Sequence, residues 1–234
     1  MKNIKIIGFD ADDTLWVNEP FYQETEKKYQ QLLSEYGSEE AIGKELFSTE
    51  MNNIELYGFG AKSFLLSMIE TALKVSKQQI SQCTIDKIIN LGKELINSPM
   101  EVFENVEKVL SRLSKNYVLI VATKGDLLDQ ERKLRVSGLG KYFHHIEIMS
   151  DKQSENYAKL LAHLDVTPEE FLMIGNSVKS DILPVLELGG NVIHVPFHTT
   201  WAHEVVDKND SIFNFPVVDN ISQIIGMIFD ETQN

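Results

Sequence analysis

The stretch that decides the fold lies near the start of the chain and reads Ile4-Lys5-Ile6-Ile7-Gly8-Phe9-Asp10-Ala11-Asp12-Asp13-Thr14-Leu15. Apolar residues predict a buried strand over residues 4–9, and acidic residues follow where that strand would end. In an extended chain Asp10 and Asp12 point the same way. Two neighbouring carboxylates repel each other unless a cation or a proton offsets their charge. The pattern therefore favours a hard metal ion bound by oxygen atoms, with an Asp-rich capped turn as the alternative.

The chain as a whole has the composition of a folded, acidic protein. Its 234 residues are 43% hydrophobic and 24% charged, and the net charge is −13. That charge would repel a phosphate backbone and no basic run is present, so we expect no nucleic-acid partner. No window approaches the apolar length of a membrane span, and the first apolar run is too short for a signal peptide. The single cysteine, Cys83, excludes internal disulfides. We expect a cytoplasmic protein, monomeric or homodimeric.

From residue 100 onward, short apolar runs alternate with helical patterns. The runs predict four further strands, at Val118–Ala122, His145–Met149, Phe171–Ile174 and Val192–Val195. Apolar spacing predicts a helix over Glu101–Leu113, and Thr167-Pro168-Glu169-Glu170 is a capping box with proline at the first helical position. Alternating strands and helices are typical of an α/β protein with a doubly wound parallel sheet.

Residues 17–98 interrupt this alternation, because they contain no convincing strand. Helical patterns cover Glu19–Glu35, Ser38–Ile54, Lys62–Lys74 and Gln78–Ile96. We therefore predict an all-helical domain over residues 17–98, inserted after the first strand. The α/β core would then consist of residues 1–16 and 99–234.

Three other predicted strands are also followed by side chains that can do chemistry. Thr123, Lys124 and Gly125 come after the second strand, where a hydroxyl and exposed backbone amides suit a phosphate, or form a plain helix cap. Asn176 and Asp181 come after the fourth strand, which puts an acid one turn beyond it. Lys152 follows the third, and it is either a surface lysine or a cation that balances the acids.

Taken in order, these signals resemble the haloacid dehalogenase-like (HAD) superfamily. Four motifs of that superfamily match here: Asp-x-Asp-x-Thr at Asp10, Asp12 and Thr14, a Thr or Ser at Thr123, a Lys at Lys152, and Gly-Asp-x-x-x-x-Asp at Gly175, Asn176 and Asp181. The helical insert is similar to the superfamily's C1-type cap, so the resemblance covers the whole chain.

The resemblance implies a phosphatase for a small phosphorylated metabolite. Asp10 would be the nucleophile, giving an aspartyl-phosphate, and Asp12 the general acid and base. Further roles are implied for the rest of the site: Mg²⁺ held by Asp10, the Asp12 carbonyl, Asp181 and Asn176; phosphoryl oxygens held by Thr123 and the amides of Ala11 and Lys124; and charge on Asp10 and phosphate neutralised by Lys152.

Two residues depart from the superfamily's pattern, and one position is ambiguous. Asp13 stands where glycine is usual, adding a third acid. Asn176 replaces the first acid of the fourth motif, which leaves Asp181 as the clear acidic ligand and predicts weaker magnesium binding. Lys159 is the alternative to Lys152 as the lysine of the third motif.

Other activities of the same fold stay open at this point. A haloacid dehalogenase needs no acid at the position of Asp12, so the acid there favours phosphate chemistry. A phosphomutase and a non-catalytic binding protein are the remaining alternatives. Substrate choice is expected from the helical insert, where Tyr57 and Lys62 flank a glycine-containing segment that can lie over the site, or form a plain turn between helices.

Overall fold

The computed structural model describes residues 3–206 and 214–230, and they contain a five-stranded parallel sheet. The strands are β1 (Ile6–Phe9), β2 (Val118–Thr123), β3 (His145–Ile148), β4 (Phe171–Gly175) and β5 (Asn191–His194). Their order across the sheet is β3-β2-β1-β4-β5, and every neighbouring pair is parallel. The predicted doubly wound α/β class is confirmed.

The sequence of the central strands explains why they lie inside the sheet. All residues of β1 and β4 are buried, as expected for strands covered on both faces. Along β1, Ile7 and Phe9 face one hydrophobic cluster and Ile6 faces another. The sheet is therefore covered on both sides, as a doubly wound fold requires.

Helices supply those two covering layers. The described helices of the whole chain are α1 (Glu19–Leu32), α2 (Glu39–Tyr57), α3 (Ala61–Val75), α4 (Gln82–Ile96), α5 (Val106–Leu113), α6 (Leu127–Val136), α7 (Ser154–His163), α8 (Leu183–Glu187) and α9 (Ile224–Asp230). Residues of α5 and α9 share a cluster with Ile7, whereas residues of α7 and α8 share one with Ile6. None of the helices in the described ranges is long and apolar enough to cross a membrane.

The strand register brings the ends of the central strands level with one another. Phe9, the last residue of β1, pairs with Val121 of β2 and Ile174 of β4. Gly175, the last residue of β4, pairs with His194 of β5. The segments that follow these strands therefore leave the sheet at one edge, which is where open α/β sheets bind ligands.

The described chain separates into two compact units. One consists of Met1–Glu19, Met100–Lys124 and Glu131–Asn234 and carries the sheet; the other consists of Pro20–Pro99 and Gly125–Gln130. The second is all-helical and has its own core, with Tyr29, Leu46 and Met68 fully buried. The Tyr29 hydroxyl donates to the Met68 carbonyl at 2.7 Å, which satisfies its polar end inside that core. The domain limits given in the sequence analysis, residues 17–98 for the helical domain, remain a prediction.

Two predicted helices begin later than expected, and one predicted cap opens only a short turn. The helix expected from Gln78 begins at Gln82, because Lys77 and Gln78 have left-handed backbones. The helix expected from Glu101 begins at Val106, because residues before it pair with the segment after β1: the Val17 amide donates to the Glu101 carbonyl at 2.9 Å, and Val102 bridges Trp16. The capping box at Thr167 forms as predicted, but it caps only a short 3₁₀ turn because β4 begins directly after it.

Candidate active site

Asp10 lies at the carboxyl end of β1, with its carboxylate almost completely buried. Its amide donates to the Ile174 carbonyl at 2.9 Å, which continues the pairing with β4 by one residue. Oδ1 accepts from the Lys152 ammonium at 2.5 Å, and Oδ2 accepts from the Thr14 hydroxyl at 3.0 Å. Asp10 is 7% exposed, and these two partners fix the orientation of its carboxylate.

Lys152 joins the loop after β3 to the loops after β1 and β4. Its ammonium also donates to Oδ1 of Asp181 at 2.7 Å, and the side chain is 1% exposed. Lys159, the alternative, is exposed on α7. The structure therefore brings Lys152 together with the two acids, Asp10 and Asp181.

The charges of this buried group oppose one another. Burial raises the pKa of Asp10, the charge of Lys152 lowers it, and the nearby Asp181 raises it. Burial likewise raises the pKa of Asp181 against the effect of Lys152. Although burial disfavours a charged lysine, Asp10 and Asp181 raise the pKa of Lys152 well above its ordinary value. The two acids thus hold Lys152 in its charged form, and a second cation nearby would favour both carboxylates in their ionised forms.

Asp181 lies on a π-helical turn, Val178–Ile182, that runs into α8. Its second oxygen, Oδ2, accepts from the Ser177 amide at 2.9 Å. A Cβ at Gly175 would come within 2.3 Å of that oxygen, so only glycine lets the end of β4 approach this acid.

Asn176 lies beside Asp10, and the position of its amide allows a test of whether the site can hold a metal ion. One end of its amide is 3.1 Å from Asp10 Oδ2 and 3.3 Å from the Asp12 carbonyl oxygen. If that end is the nitrogen, it donates to both oxygens; if it is the oxygen, three oxygens converge and need a cation between them. Carboxylate, carbonyl and amide oxygens are the donors that a hard divalent cation prefers. The residues therefore fit Mg²⁺.

Only one of these three donors is an acidic side chain, which distinguishes the set from common metal sites. In residues 3–206 and 214–230, no three His, Cys, Asp or Glu side chains lie together as they would around a metal. Asp181, expected from the sequence as the clear acidic ligand, has its oxygens on Lys152 and the Ser177 amide. The amide of Asn176, rather than Asp181, lies against Asp10 Oδ2 and the Asp12 carbonyl.

Asp12 belongs to a different hydrogen-bond network from Asp10. Its Oδ1 accepts from the Trp16 indole at 2.8 Å and from the Lys133 ammonium at 2.9 Å. The next residue, Asp13, has a left-handed backbone with φ of 62°. Its carboxylate accepts from the amides of Asn18 and Glu19 at 2.9 to 3.1 Å. Asp13 therefore organises the start of α1, which is a role that its sequence position did not reveal.

Thr123 and Lys124 lie at the end of β2, and Ala11 lies in the turn after β1. Thr123 and Ala11 are buried, and the Ala11 carbonyl accepts from the Leu15 amide at 2.8 Å. The Lys124 ammonium donates to Glu204 at 2.6 Å and to the Ser180 hydroxyl at 3.1 Å. The side chain of Lys124 is thus directed to the β4 and β5 loops.

Sequence reasoning missed Glu204 and Lys133. Glu204 lies in a 3₁₀ turn, Ala202–Glu204, after β5, and Lys133 lies on α6. Neither follows a strand end directly, so no local pattern distinguishes it from a surface charge.

The remaining predicted residues, Tyr57 and Lys62, belong to the helical unit: the Tyr57 hydroxyl donates to Glu70 at 2.7 Å, and Lys62 pairs with Asp126 at 2.8 Å.

Comparison with known proteins agrees with the fold and with these motifs. Residues 4–189 match the model of the haloacid dehalogenase-like hydrolase family. The chain is similar to a haloacid dehalogenase-like family hydrolase of Xanthomonas campestris, with a TM-score of 0.84 and 34% identity over 97% of this chain and 91% of the other. It is 25% identical to a protein of Methanothermobacter thermautotrophicus named glyceraldehyde 3-phosphate phosphatase, over 94% of this chain and 98% of the relative.

Less similar structures share the fold alone. A 2-haloacid dehalogenase of Pseudomonas syringae has a TM-score of 0.61 and 18% identity over 96% of this chain and 98% of its own. The parallel five-stranded sheet carries acids, a threonine and a buried lysine at one edge. These features are those of a haloacid dehalogenase-like hydrolase. The chain belongs to the haloacid dehalogenase-like hydrolase family, and it is an enzyme.

Proposed function

We propose that the protein is a magnesium-dependent phosphatase that hydrolyses a small phosphorylated metabolite through an aspartyl-phosphate. The observation that carries the proposal is the separation of two carboxylates into two networks. Asp10 is bound by Lys152 and Thr14, whereas Asp12 is bound by Trp16 and Lys133. The two acids thus have separate side-chain partners, and we assign nucleophilic attack to Asp10 and proton transfer to Asp12.

The residues of the site divide the reaction between them. Asp10 attacks phosphorus, and the alkoxide leaves with a proton from Asp12. Asp12 then takes a proton from a water molecule. That water attacks phosphorus in the aspartyl-phosphate, which releases phosphate and regenerates the Asp10 carboxylate. Lys152 keeps positive charge beside Asp10 throughout, while the Thr123 hydroxyl and the amides of Ala11 and Lys124 hold phosphoryl oxygens.

Magnesium would be held by Asp10, the Asp12 carbonyl and Asn176, with the charge of Asp181 nearby. When bound, it supplies positive charge that offsets the charge of the phosphoryl group. Asn176 contributes no charge of its own, so we expect weaker binding than an acid at this position would give.

One relative and the presence of Asp12 support a phosphate ester as substrate. The relative from Methanothermobacter thermautotrophicus is named for a small phosphorylated aldehyde. The dehalogenase of Pseudomonas syringae shares the fold, but dehalogenation has no leaving group that needs the proton of Asp12. Hydrolysis of a phosphate ester uses both Asp10 and Asp12. A small ester as substrate agrees with the name of the Methanothermobacter relative.

The helical unit would act as the cap that selects the ester. Tyr57 is 37% exposed, and the Lys62 side chain is 52% exposed. A cap can exclude water during the reaction and reopen for product release. Tyr57→Ala and Lys62→Ala should change kcat/KM differently for different natural esters and least for small aryl phosphates, which use little remote binding energy.

The test is phosphate release from p-nitrophenyl phosphate, followed by a panel of phosphorylated metabolites that includes glyceraldehyde 3-phosphate. EDTA should abolish release, Mg²⁺ should restore it, and Asp10→Asn should remove it while the protein stays folded. Asn220→Asp is a control outside the motifs, at an exposed position where the side chain caps a turn. Full activity without metal would overturn the magnesium dependence. Release of halide from haloacids, transfer to a second sugar hydroxyl, or binding without turnover would each replace the phosphatase proposal with its rival.

A further inference from the structure

Lys133 is a largely buried cation that the reaction scheme does not use. Its ammonium lies 2.9 Å from Asp12 Oδ1 and 2.8 Å from the side-chain oxygen of Asn18. We propose that Lys133 is a positioning residue that holds the Asp12 carboxylate in place for proton transfer and ties it to the segment leading into α1. The proposal rests on the phosphatase function proposed above.

Two donors converge on a single oxygen of Asp12. The Trp16 indole approaches from the turn after β1, and Lys133 approaches from α6. Both bonds end on Oδ1, and together they fix the direction of the carboxyl group. A general acid is effective only within hydrogen-bond reach of the leaving oxygen, so this orientation governs its contribution.

The ion pair is sheltered enough to have a measurable effect. The side chains of Lys133 and Asp12 are 12% and 24% exposed. Exposed pairs such as Lys141 with Glu107, at 60% and 59%, contribute little because water and salt screen them. The Lys133 pair is also fixed by a second acceptor, Asn18, which limits the freedom of the ammonium.

Lys133 further connects the acid to the chain that enters α1. Asn18 accepts from Lys133 through its side chain and donates through its amide to Asp13 at 2.9 Å. A displacement of Asn18 would therefore move the ammonium that orients Asp12. Through this contact, the position of the segment before α1 sets the position of the general acid.

The experiment compares leaving groups in the full-length protein loaded with Mg²⁺. Lys133→Met keeps the length of the side chain and removes its charge. It should lower kcat/KM for a poor leaving group, such as an alkyl phosphate, by about tenfold, but for p-nitrophenyl phosphate by less than about twofold, since that leaving group needs little protonation. In an Asp12→Asn background the same substitution should change neither substrate, because the acid that Lys133 orients is gone.

Matched variants separate positioning from folding. Lys141→Met removes the exposed pair with Glu107 and should leave the leaving-group dependence unchanged. Lys133→Arg, which retains charge, should recover part of the loss, and Lys133→Gln replaces the Met variant if circular dichroism shows that variant to be unfolded. Equal losses on both substrates, or an undiminished effect without Asp12, would overturn the role of Lys133. Absence of phosphatase activity in the wild-type protein would instead overturn the proposed function itself.

Discussion

The carboxylate of Glu204 accepts a 2.6 Å hydrogen bond from the ammonium of Lys124, although the two residues are 80 positions apart in the chain. The same oxygen accepts from the Ser180 hydroxyl at 2.9 Å. Glu204 thus joins the loops that follow β2, β4 and β5. It places a fixed negative charge beside the edge of the sheet where the phosphate is expected to bind.

The first prediction concerns the stability that this contact provides. Glu204→Gln should lower the free energy of unfolding by about 1–3 kcal/mol, because it leaves a largely buried ammonium without its counter-charge. Although burial opposes ionisation, Lys124 lowers the pKa of Glu204 below its ordinary 4.5. The charged pair therefore stabilises the fold above that value, and its effect is lost as pH falls through the lower, folded pKa.

Urea unfolding of the wild-type protein and the variant at several pH values measures this effect. The difference between them should be largest at neutral pH and shrink in acid. Glu107→Gln, which removes an exposed carboxylate, serves as the control and should give a small difference at every pH. A constant difference down to strongly acidic pH would show that the charge of Glu204 is not responsible.

The second prediction concerns the buried lysine between two acids. Lys152→Met should destabilise the metal-free protein by about 3–5 kcal/mol, because Asp10 and Asp181 would face each other without a cation. The double variant Lys152→Met with Asp10→Asn should recover part of that loss, since one of the two acids is gone. Unfolding in urea with EDTA gives both values, and Lys159→Met, at an exposed position of α7, is the matched control. A double variant no more stable than the single one would contradict the charge argument.

The third prediction concerns Asn176. Asn176→Asp should strengthen Mg²⁺ binding by about tenfold or more, because a carboxylate replaces a neutral amide beside Asp10 and the Asp12 carbonyl. The metal-free variant should melt at a lower temperature than the wild-type protein, since a new negative charge faces those oxygens. Thermal unfolding over a magnesium titration measures both effects. The same shift in Asn220→Asp, where the added charge lies in a surface turn, would point to a non-specific effect of charge.

The fourth prediction concerns Glu50 in the helical unit. Burial, together with the charge of the neighbouring Glu26, raises its pKa to about 8. A raised folded pKa means that the neutral form is favoured by folding, so the wild-type protein should lose stability as pH rises from about 4.5 to about 8. Glu50→Gln should not show that loss. The gap between the two proteins should reach a few kcal/mol, at about 1.4 kcal/mol for each unit of pKa shift.

Chemical denaturation at pH 5 and pH 8.5 distinguishes the outcomes for Glu50. The stability of the wild-type protein relative to the variant should be lower at the higher pH. Glu40→Gln is the control, because it removes an exposed carboxylate from the same helix, where Glu40 pairs with Lys44. If Glu40→Gln and Glu50→Gln showed the same pH dependence, burial of Glu50 would not be its cause.

The parts of the site that follow strand ends could be predicted from the sequence. Asp10, Thr123 and Asn176 each come directly after an apolar run, and strands of one parallel sheet must end at a common edge. Position alone left Lys152 as either a surface lysine or a balancing cation, and the resemblance to the family's third motif favoured the second. The order of residues along the chain was therefore sufficient to predict that Asp10 and Asn176 lie close together.

The residues that support the site could not be predicted in this way. Lys133 and Glu204 reach the site through side chains from α6 and from the turn after β5, and their partners are 121 and 80 positions away. Such contacts depend on packing between distant elements, which leaves no periodicity in the sequence. The late start of α5 has a similar cause, because a bridge between Val102 and Trp16 competes with helix formation.

The level strand ends have a consequence for how this chain can change in length. Phe9, Val121 and Ile174 lie side by side, and each is followed within two residues by a functional group. One extra residue within β1 or β4 would advance the following side chain by about 3.3 Å and turn it to the opposite face of the sheet. Insertions and deletions inside these strands are therefore expected to abolish activity, even where they preserve hydrophobicity.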